Sequence, residues 1–198
     1  HLAEHMETKK LYYAFESTNK ELFSIDKIGN VVKSKYTSIY IPTGFSEKNF
    51  QQQDYPTLLY DYKQNGTLES LFITSGFELN RDTRTYTVLL GTALAMRNLA
   101  DNKSSHLQLT PENIFFDDDW FPLLLYFGKP YPTNQINTQL PNGKTFPLYT
   151  SPEVLAKKPF NYKVDTYSYG LIAYQIITGL VPYEEIFNES AEEFSEKV

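Results

Sequence analysis

The segment His106-Leu107-Gln108-Leu109-Thr110-Pro111-Glu112-Asn113 and the tripeptide Tyr126-Phe127-Gly128, which starts thirteen residues beyond Asn113, carry most of the fold information in this chain. Upstream, residues 85–100 have a helical pattern, with Leu89, Ala93, Met96 and Ala100 on one face and Leu90 and Leu94 beside it. Downstream, residues 114–116 and 123–126 are short apolar runs on either side of the polar turn Asp117-Asp118-Asp119-Trp120. The order is helix, polar loop, hairpin. Successive Asp residues invite a metal reading, but adjacent side chains in a turn diverge, so a solvated hairpin tip is expected.

This arrangement resembles a protein-kinase active site without its acids. In that family the first motif reads H-R-D-L-x-x-x-N, where the Asp orients and deprotonates the substrate hydroxyl and the Asn holds magnesium. The second reads D-F-G, and its Asp holds magnesium on the ATP phosphates. Here Leu107, Gln108 and Tyr126 replace the Arg and both carboxylates, while His106, Asn113, Phe127 and Gly128 keep their types and spacing. Further segments resemble the family in the required order. Residues 56–68 are similar to the fifth strand running into the interlobe hinge, and Ser151-Pro152-Glu153 to the A-P-E that closes the activation segment. Asp165-Thr166-Tyr167-Ser168-Tyr169-Gly170 is similar to the D-x-x-S-x-G that opens a buried helix. The resemblance covers the chain from about Tyr36 onward, and its wording is closest to the tyrosine-kinase-like group.

The resemblance implies an α+β, two-lobed, protein-kinase-like fold, with a reduced N-lobe and hinge in residues 1–62 and an incomplete helical C-lobe in residues 63–198. Strands are expected at residues 11–15, 38–41 and 57–62. Residues 20–33 have poor helical periodicity, with Gly29 and Asn30 inside. Residues 164–177 form a helix apolar nearly all round, which must be buried on most sides. By resemblance, Asp165 at its start accepts hydrogen bonds from the catalytic-loop backbone, and His106 and Phe127 belong to the spine that aligns the lobes. Glu153 lacks the late Arg that pairs with it in the family. Either that Arg lies beyond Val198 or Glu153 is solvated.

The same comparison assigns the site. Gln108 cannot serve as a general base, a role worth about 10²- to 10⁴-fold in rate. Tyr126 is a poor magnesium ligand whose ring would occupy space near the phosphates, and Asn113 alone is a weak residual metal site. Leu107 removes the guanidinium that would clamp a phosphate on Thr138, Thr145 or Tyr149. No glycine precedes Gly29, so this stretch holds no phosphate-cradling loop: either the loop is lost or the sequence begins after it. Tyr13-Ala14-Phe15-Glu16 resembles V-A-I-K in place, with Glu16 for the Lys and Lys27 near the partner position: either the ion pair is reversed or the two are unrelated surface charges. An adenine slot is implied by the backbone of Asp61 and Lys63, with Tyr60 as gatekeeper and Phe115 beneath the ring. These readings point to a pseudokinase acting as a signalling scaffold or binding module, holding neither ATP nor magnesium firmly. The alternative is a weak or unconventional ATP-dependent Ser/Thr/Tyr kinase.

Composition narrows the partners. The 198 residues include 41% hydrophobic ones, no cysteine and three histidines, which excludes disulfides and thiolate metal sites. Of the net charge of -6, most comes from residues 184–198, with six Glu and one Lys, so no nucleic-acid footprint is expected. Residues 1–10 lack the apolar core of a signal peptide, and the apolar run 167–183 is broken by Gln175, Thr178, Gly179 and Pro182. A cytoplasmic domain with protein partners and no membrane contact is the expectation.

Overall fold

A computed structural model describes residues 2–16, 38–48, 56–74, 83–102, 104–126, 147–156 and 158–184. The segment 20–33 with Lys27, and Tyr36, Phe127, Gly128, Thr138, Thr145 and the acidic stretch from residue 185, lie outside the described residues.

The first part of the chain is strand-rich: β1 (Leu2–Glu4), β2 (Leu11–Glu16), β3 (Ile39–Tyr40), β4 (Gly44–Ser46) and β5 (Thr57–Asp61). Four of these form an antiparallel sheet in the order β1-β2-β5-β4. Alternation along β2 sends Tyr13 and Phe15 to one face, where they meet Phe115 and Tyr60 edge-on. The hairpin of β6 (Ile114–Phe116) and β7 (Pro122–Leu125) forms a second sheet with β3, which pairs parallel to β7 through Ile39↔Leu124 and Tyr40↔Leu125. The hairpin tip is organised by Asp117, whose Oδ1 accepts the backbone N–H groups of Asp119 at 3.0 Å and Phe121 at 2.7 Å. Asp118 and Asp119 are exposed, as a solvated turn requires.

Helix α1 (Leu68–Thr74), which apolar periodicity did not announce, follows the hinge-like segment. Its start is fixed by reciprocal bonds: the Thr67 N–H donates to Ser70 Oγ and the Ser70 N–H to Thr67 Oγ1. Helix α2 (Thr83–Asp101) spans the expected segment, but its buried face differs from the expected one. Thr85, Val88, Gly91, Thr92, Ala95, Asn98 and Leu99 are buried, while Leu90 and Ala100 are exposed and Leu89, Ala93, Leu94 and Met96 sit on the flank. The hairpin approaches closely at one point of this face: a Cβ at Gly91 would lie 2.3 Å from Pro122 Cγ, so only glycine fits there.

The short α3 (Pro152–Leu155) precedes α4 (Lys163–Thr178), which Gly179 ends in the left-handed conformation at φ 72°. Helix α4 is less enclosed than its composition suggests. Val164, Asp165, Ser168, Ile172, Gln175 and Ile176 are buried, but Thr166, Gly170, Tyr174 and Ile177 leave an exposed stripe. The larger core joins α1, α2, α4 and the hairpin around Leu99, Leu109, Ile114, Phe116, Leu124 and Ile172. A second cluster of Tyr40, Leu58, Tyr60, Phe115 and Leu125 joins the two sheets. The fold is α+β, as the motif order implies.

Candidate functional site

The polar loop 104–113 runs from the end of α2 to the hairpin, and its backbone is held by one carboxylate. Asp165, 5% exposed at the start of α4, accepts the His106 N–H on Oδ2 at 2.6 Å and the Leu107 N–H on Oδ1 at 2.8 Å. These bonds hold Leu107 at φ 65°, a conformation that costs a non-glycine residue about 1–2 kcal/mol. The Leu107 side chain packs against Val154, Phe160 and Val164, so the residue in the Arg position anchors the loop in apolar contacts.

His106 is fixed at both ring nitrogens. Nδ1 accepts the Gln108 N–H at 3.2 Å, so Nε2 carries the proton and donates to the Leu125 carbonyl at 2.6 Å. Burial lowers the His106 pKa, against the opposing pull of Asp165, so the ring is neutral. Burial raises the Asp165 carboxyl, opposed by His106 and by the two N–H bonds. Asn113 Nδ2 donates to the Gln108 carbonyl at 2.7 Å, closing the loop from its far end.

Tyr126 does not occupy the place expected for its ring. Instead of filling the cleft, the ring lies 2% exposed in the larger core with Leu99, Leu109 and Phe116. The ring carbons gain by burial there, against the cost of a buried hydroxyl with no hydrogen-bond partner among the described residues, and the main chain of Tyr126 takes part in the cleft edge. Its N–H donates to the Tyr40 carbonyl at 3.1 Å, and its own carbonyl accepts the Tyr60 hydroxyl at 2.7 Å. Burial pushes the Tyr126 phenol up to about 12, with a minor opposing contribution from Ser104, so its oxygen is uncharged at neutral pH.

On the opposite side, the residues read as an adenine slot come together. Tyr60 is fully buried, Phe115 is 5% exposed, and the Asp61 and Lys63 backbone lies beside them. Two residues the sequence reading did not place there join them. Tyr40 donates its hydroxyl to the Asp61 carbonyl, and Tyr13 donates to the Lys63 carbonyl at 3.4 Å. The rings form a chain: Tyr62 to Tyr13 at 5.2 Å, Tyr13 to Phe115 at 5.2 Å, Phe115 to Tyr40 at 5.1 Å and Tyr40 to Tyr60 at 5.1 Å. The Lys63 ammonium lies 5.6 Å above the Tyr40 ring. The aromatic composition of residues 11–15 was the available signal for Tyr13. A two-residue strand gave none for Tyr40.

A family model described as the protein kinase domain matches residues 44–197. The chain belongs to the protein kinase family. Among its curated relatives is the dual specificity protein kinase pyk3 of Dictyostelium discoideum, 29% identical over 167 residues covering 84% of this chain and 12% of the relative. A probably inactive leucine-rich repeat receptor-like protein kinase of Arabidopsis thaliana is 27% identical over 175 residues, 86% of this chain and 19% of the relative. Serine/threonine-protein kinase ULK3 of Xenopus laevis is 28% identical over 163 residues, 81% of this chain and 34% of the relative. The chain thus spans about a third or less of the length of these proteins.

For a kinase-family cleft, the donors fit magnesium poorly. Asn113 offers only its single carboxamide oxygen, the amide N–H being donated to the Gln108 carbonyl, and Tyr126 offers a neutral, core-bound phenol in place of a carboxylate. Among the described residues no group of three His, Cys, Asp or Glu could hold a metal ion. Glu16 ends β2 opposite Thr57. Glu153 is half-buried at the start of α3, with partial solvent access. Beside the loop lies a cavity of about 320 Å³, lined among others by Glu69, Phe72, Glu112, Leu148, Tyr149 and Gln175. Burial raises the Glu69 carboxyl, and the neighbouring Glu112 raises it further. No helix among the described residues is long and apolar enough to cross a membrane.

Proposed function

We propose that this kinase-family domain is a pseudokinase of the tyrosine-kinase-like group: a cytoplasmic protein-binding or scaffolding module in signalling, with its N-lobe and hinge in residues 1–62 and a partial C-lobe in residues 63–198. The observation that carries this reading is the pairing of an intact loop framework with absent chemistry. His106, Asn113 and Asp165 keep the loop backbone in place, while Gln108 has no titratable group and Tyr126 turns its ring into the core. Phosphoryl transfer depends on positioning together with charge neutralisation, and positioning alone leaves the phosphates unscreened. The retained cavity supports a binding role. Its two carboxylates and its apolar wall of Phe72 and Leu148 suit an extended partner segment with a basic side chain.

The weak-kinase reading draws support from relatives whose names describe working kinases. A radiolabelled ATP assay separates the two. The expected result is no transfer above background from the parent chain or from Gln108→Asp. Magnesium-dependent transfer by the parent, abolished in Asn113→Ala, overturns the pseudokinase reading.

A further inference from the structure

We infer that Glu69 and Glu112 share one proton at the mouth of the cavity beside the loop, and that a cationic group of a partner enters the cavity by displacing it. The exchange rests on the reading of this cavity as a site for a basic partner segment; the shared proton does not.

The backbone forces the two carboxylates together. Glu69 stands in the first turn of α1, and Glu112 is the middle residue of the 3₁₀ turn Pro111–Asn113, which packs against that helix. Neither element is free to retreat. Leu68 is fully buried beside Glu69, and Pro111 is buried beside Glu112. The reciprocal bonds of Thr67 and Ser70 pin the helix start, and the Asn113 N–H donates to the Thr110 carbonyl at 3.0 Å across the turn. Two like charges held in one site resist ionising together, and a proton between them converts the repulsion into a hydrogen bond. The electrostatics agree: burial raises the Glu69 carboxyl, and Glu112 raises it further by its charge and by a side-chain hydrogen bond. The field of the pair extends inward, where burial and then Glu69 and Glu112 raise the Tyr149 phenol.

Nothing else in the cavity neutralises the pair. Its ionisable lining groups are Glu69 from α1, Glu112 from the 3₁₀ turn and Tyr149, and α4 contributes the neutral Gln175; among the described residues no Lys, Arg or His lines the space. Gln175 is 6% exposed and takes the Tyr149 hydroxyl on Oε1, while its amide nitrogen makes no hydrogen bond among the described residues. The buried Thr110 hydroxyl is likewise without a partner there. The cavity thus has a negative mouth, unanswered polar groups on its lining and an apolar wall of Phe72 and Leu148. A group with a positive end on an apolar, hydrogen-bonding body satisfies all three, and its charge replaces the proton between the carboxylates. One proton passes to water for each cation that enters, so affinity rises with pH by up to about tenfold per unit while the pair holds its proton. Acid thereby closes the partner site.

The test uses the whole chain and two measurements. Carboxyl-detected NMR follows the Glu69 and Glu112 side chains through an acid titration of the parent, Glu69→Gln and Glu112→Gln proteins, the glutamines keeping side-chain size. One parent midpoint is expected above the ordinary glutamate range, and the midpoint of the remaining carboxyl should fall in each variant. The second measurement is binding of N-acetylarginine methylamide over the same pH range, with the uncharged citrulline analogue as control. Parent affinity should climb with pH by up to about tenfold per unit, and the slope should flatten in both variants. Ordinary midpoints for both parent carboxyls overturn the shared proton, as does a raised Glu69 midpoint that Glu112→Gln leaves unchanged. A parent affinity independent of pH overturns the exchange. A shared proton with no arginine binding at any pH, or with equal binding of the citrulline analogue, overturns the exchange together with the basic-partner reading, so the two failures are distinct.

Discussion

The two walls of the cleft are built on different principles. The catalytic-loop wall is held by directed polar bonds, with the Asp165 carboxylate on two backbone N–H groups and His106 fixed at both ring nitrogens. The hinge wall is held by volume: five rings from Tyr62 to Tyr60 in tilted and edge contact. Polar holding preserves a backbone shape and tolerates few chemical substitutes. Ring packing preserves a filled space and tolerates any side chain of similar bulk.

The contrast can be broken first at Phe115. Phe115→Ala should cost about 3–5 kcal/mol by opening a hole between the sheets, whereas Phe115→Leu should cost under about 1.5 kcal/mol. Urea denaturation of both variants checks it, and equal losses would remove the claim that this wall works by volume.

The matching test on the other wall is Asp165→Ala against Asp165→Asn. The alanine variant leaves two N–H groups unanswered and should lose about 3 kcal/mol; the asparagine variant keeps one acceptor oxygen and should lose less. Here chemistry, not bulk, should decide, so Asp165→Leu should be no better than Asp165→Ala.

Acid should act on the polar wall alone. His106 is held neutral, with its pKa lowered from 6.5, so below about pH 6.5 the unfolded chain takes up a proton that the folded chain refuses. Stability should therefore fall as pH drops from about 7 towards 5.5. The raised Asp165 carboxyl works in the opposite sense, since the folded chain then takes up its proton first. Thermal melting across this window should show a slope that flattens in His106→Phe. An unchanged slope would mean that His106 titrates freely.

The smallest effect joins the two walls. Tyr60→Phe removes the 2.7 Å bond to the Tyr126 carbonyl and keeps the ring, so a loss of about 1 kcal/mol is expected by denaturant titration. A loss comparable to that of Phe115→Ala would show that the hinge wall, too, depends on polar bonds.

The polar wall was the more legible of the two in the sequence. The resemblance to the kinase loop implies the bonds that Asp165 accepts from the loop backbone, and the hairpin between Ile114 and Leu125 follows from two apolar runs around a polar turn. Side-chain direction was not legible. The helix 83–101 was assigned its buried face by its largest aliphatics, but the hairpin's close approach at Pro122 puts Gly91 on the buried face, with Val88, Thr92, Ala95 and Leu99. Tyr126 was placed in the cleft by motif position, yet burial of an apolar ring turned it inward. Tyr40 reaches the hinge through a parallel pairing with a distant strand, which no local pattern encodes. Helix α1 was hidden because its start is set by Thr67 and Ser70 rather than by periodicity.

The pairing of Ile39 with Leu124 also governs how the chain acquires its fold. A contact between residues so far apart in sequence cannot form until the intervening chain has been brought to order, and such closure is slow relative to helices and hairpins. Strands β2 and β5 can pair early, but Tyr40 must wait for the β6–β7 hairpin before its ring has a home. During synthesis the aromatic first segment is thus exposed until the hairpin emerges, and exposed apolar surface of this kind favours self-association.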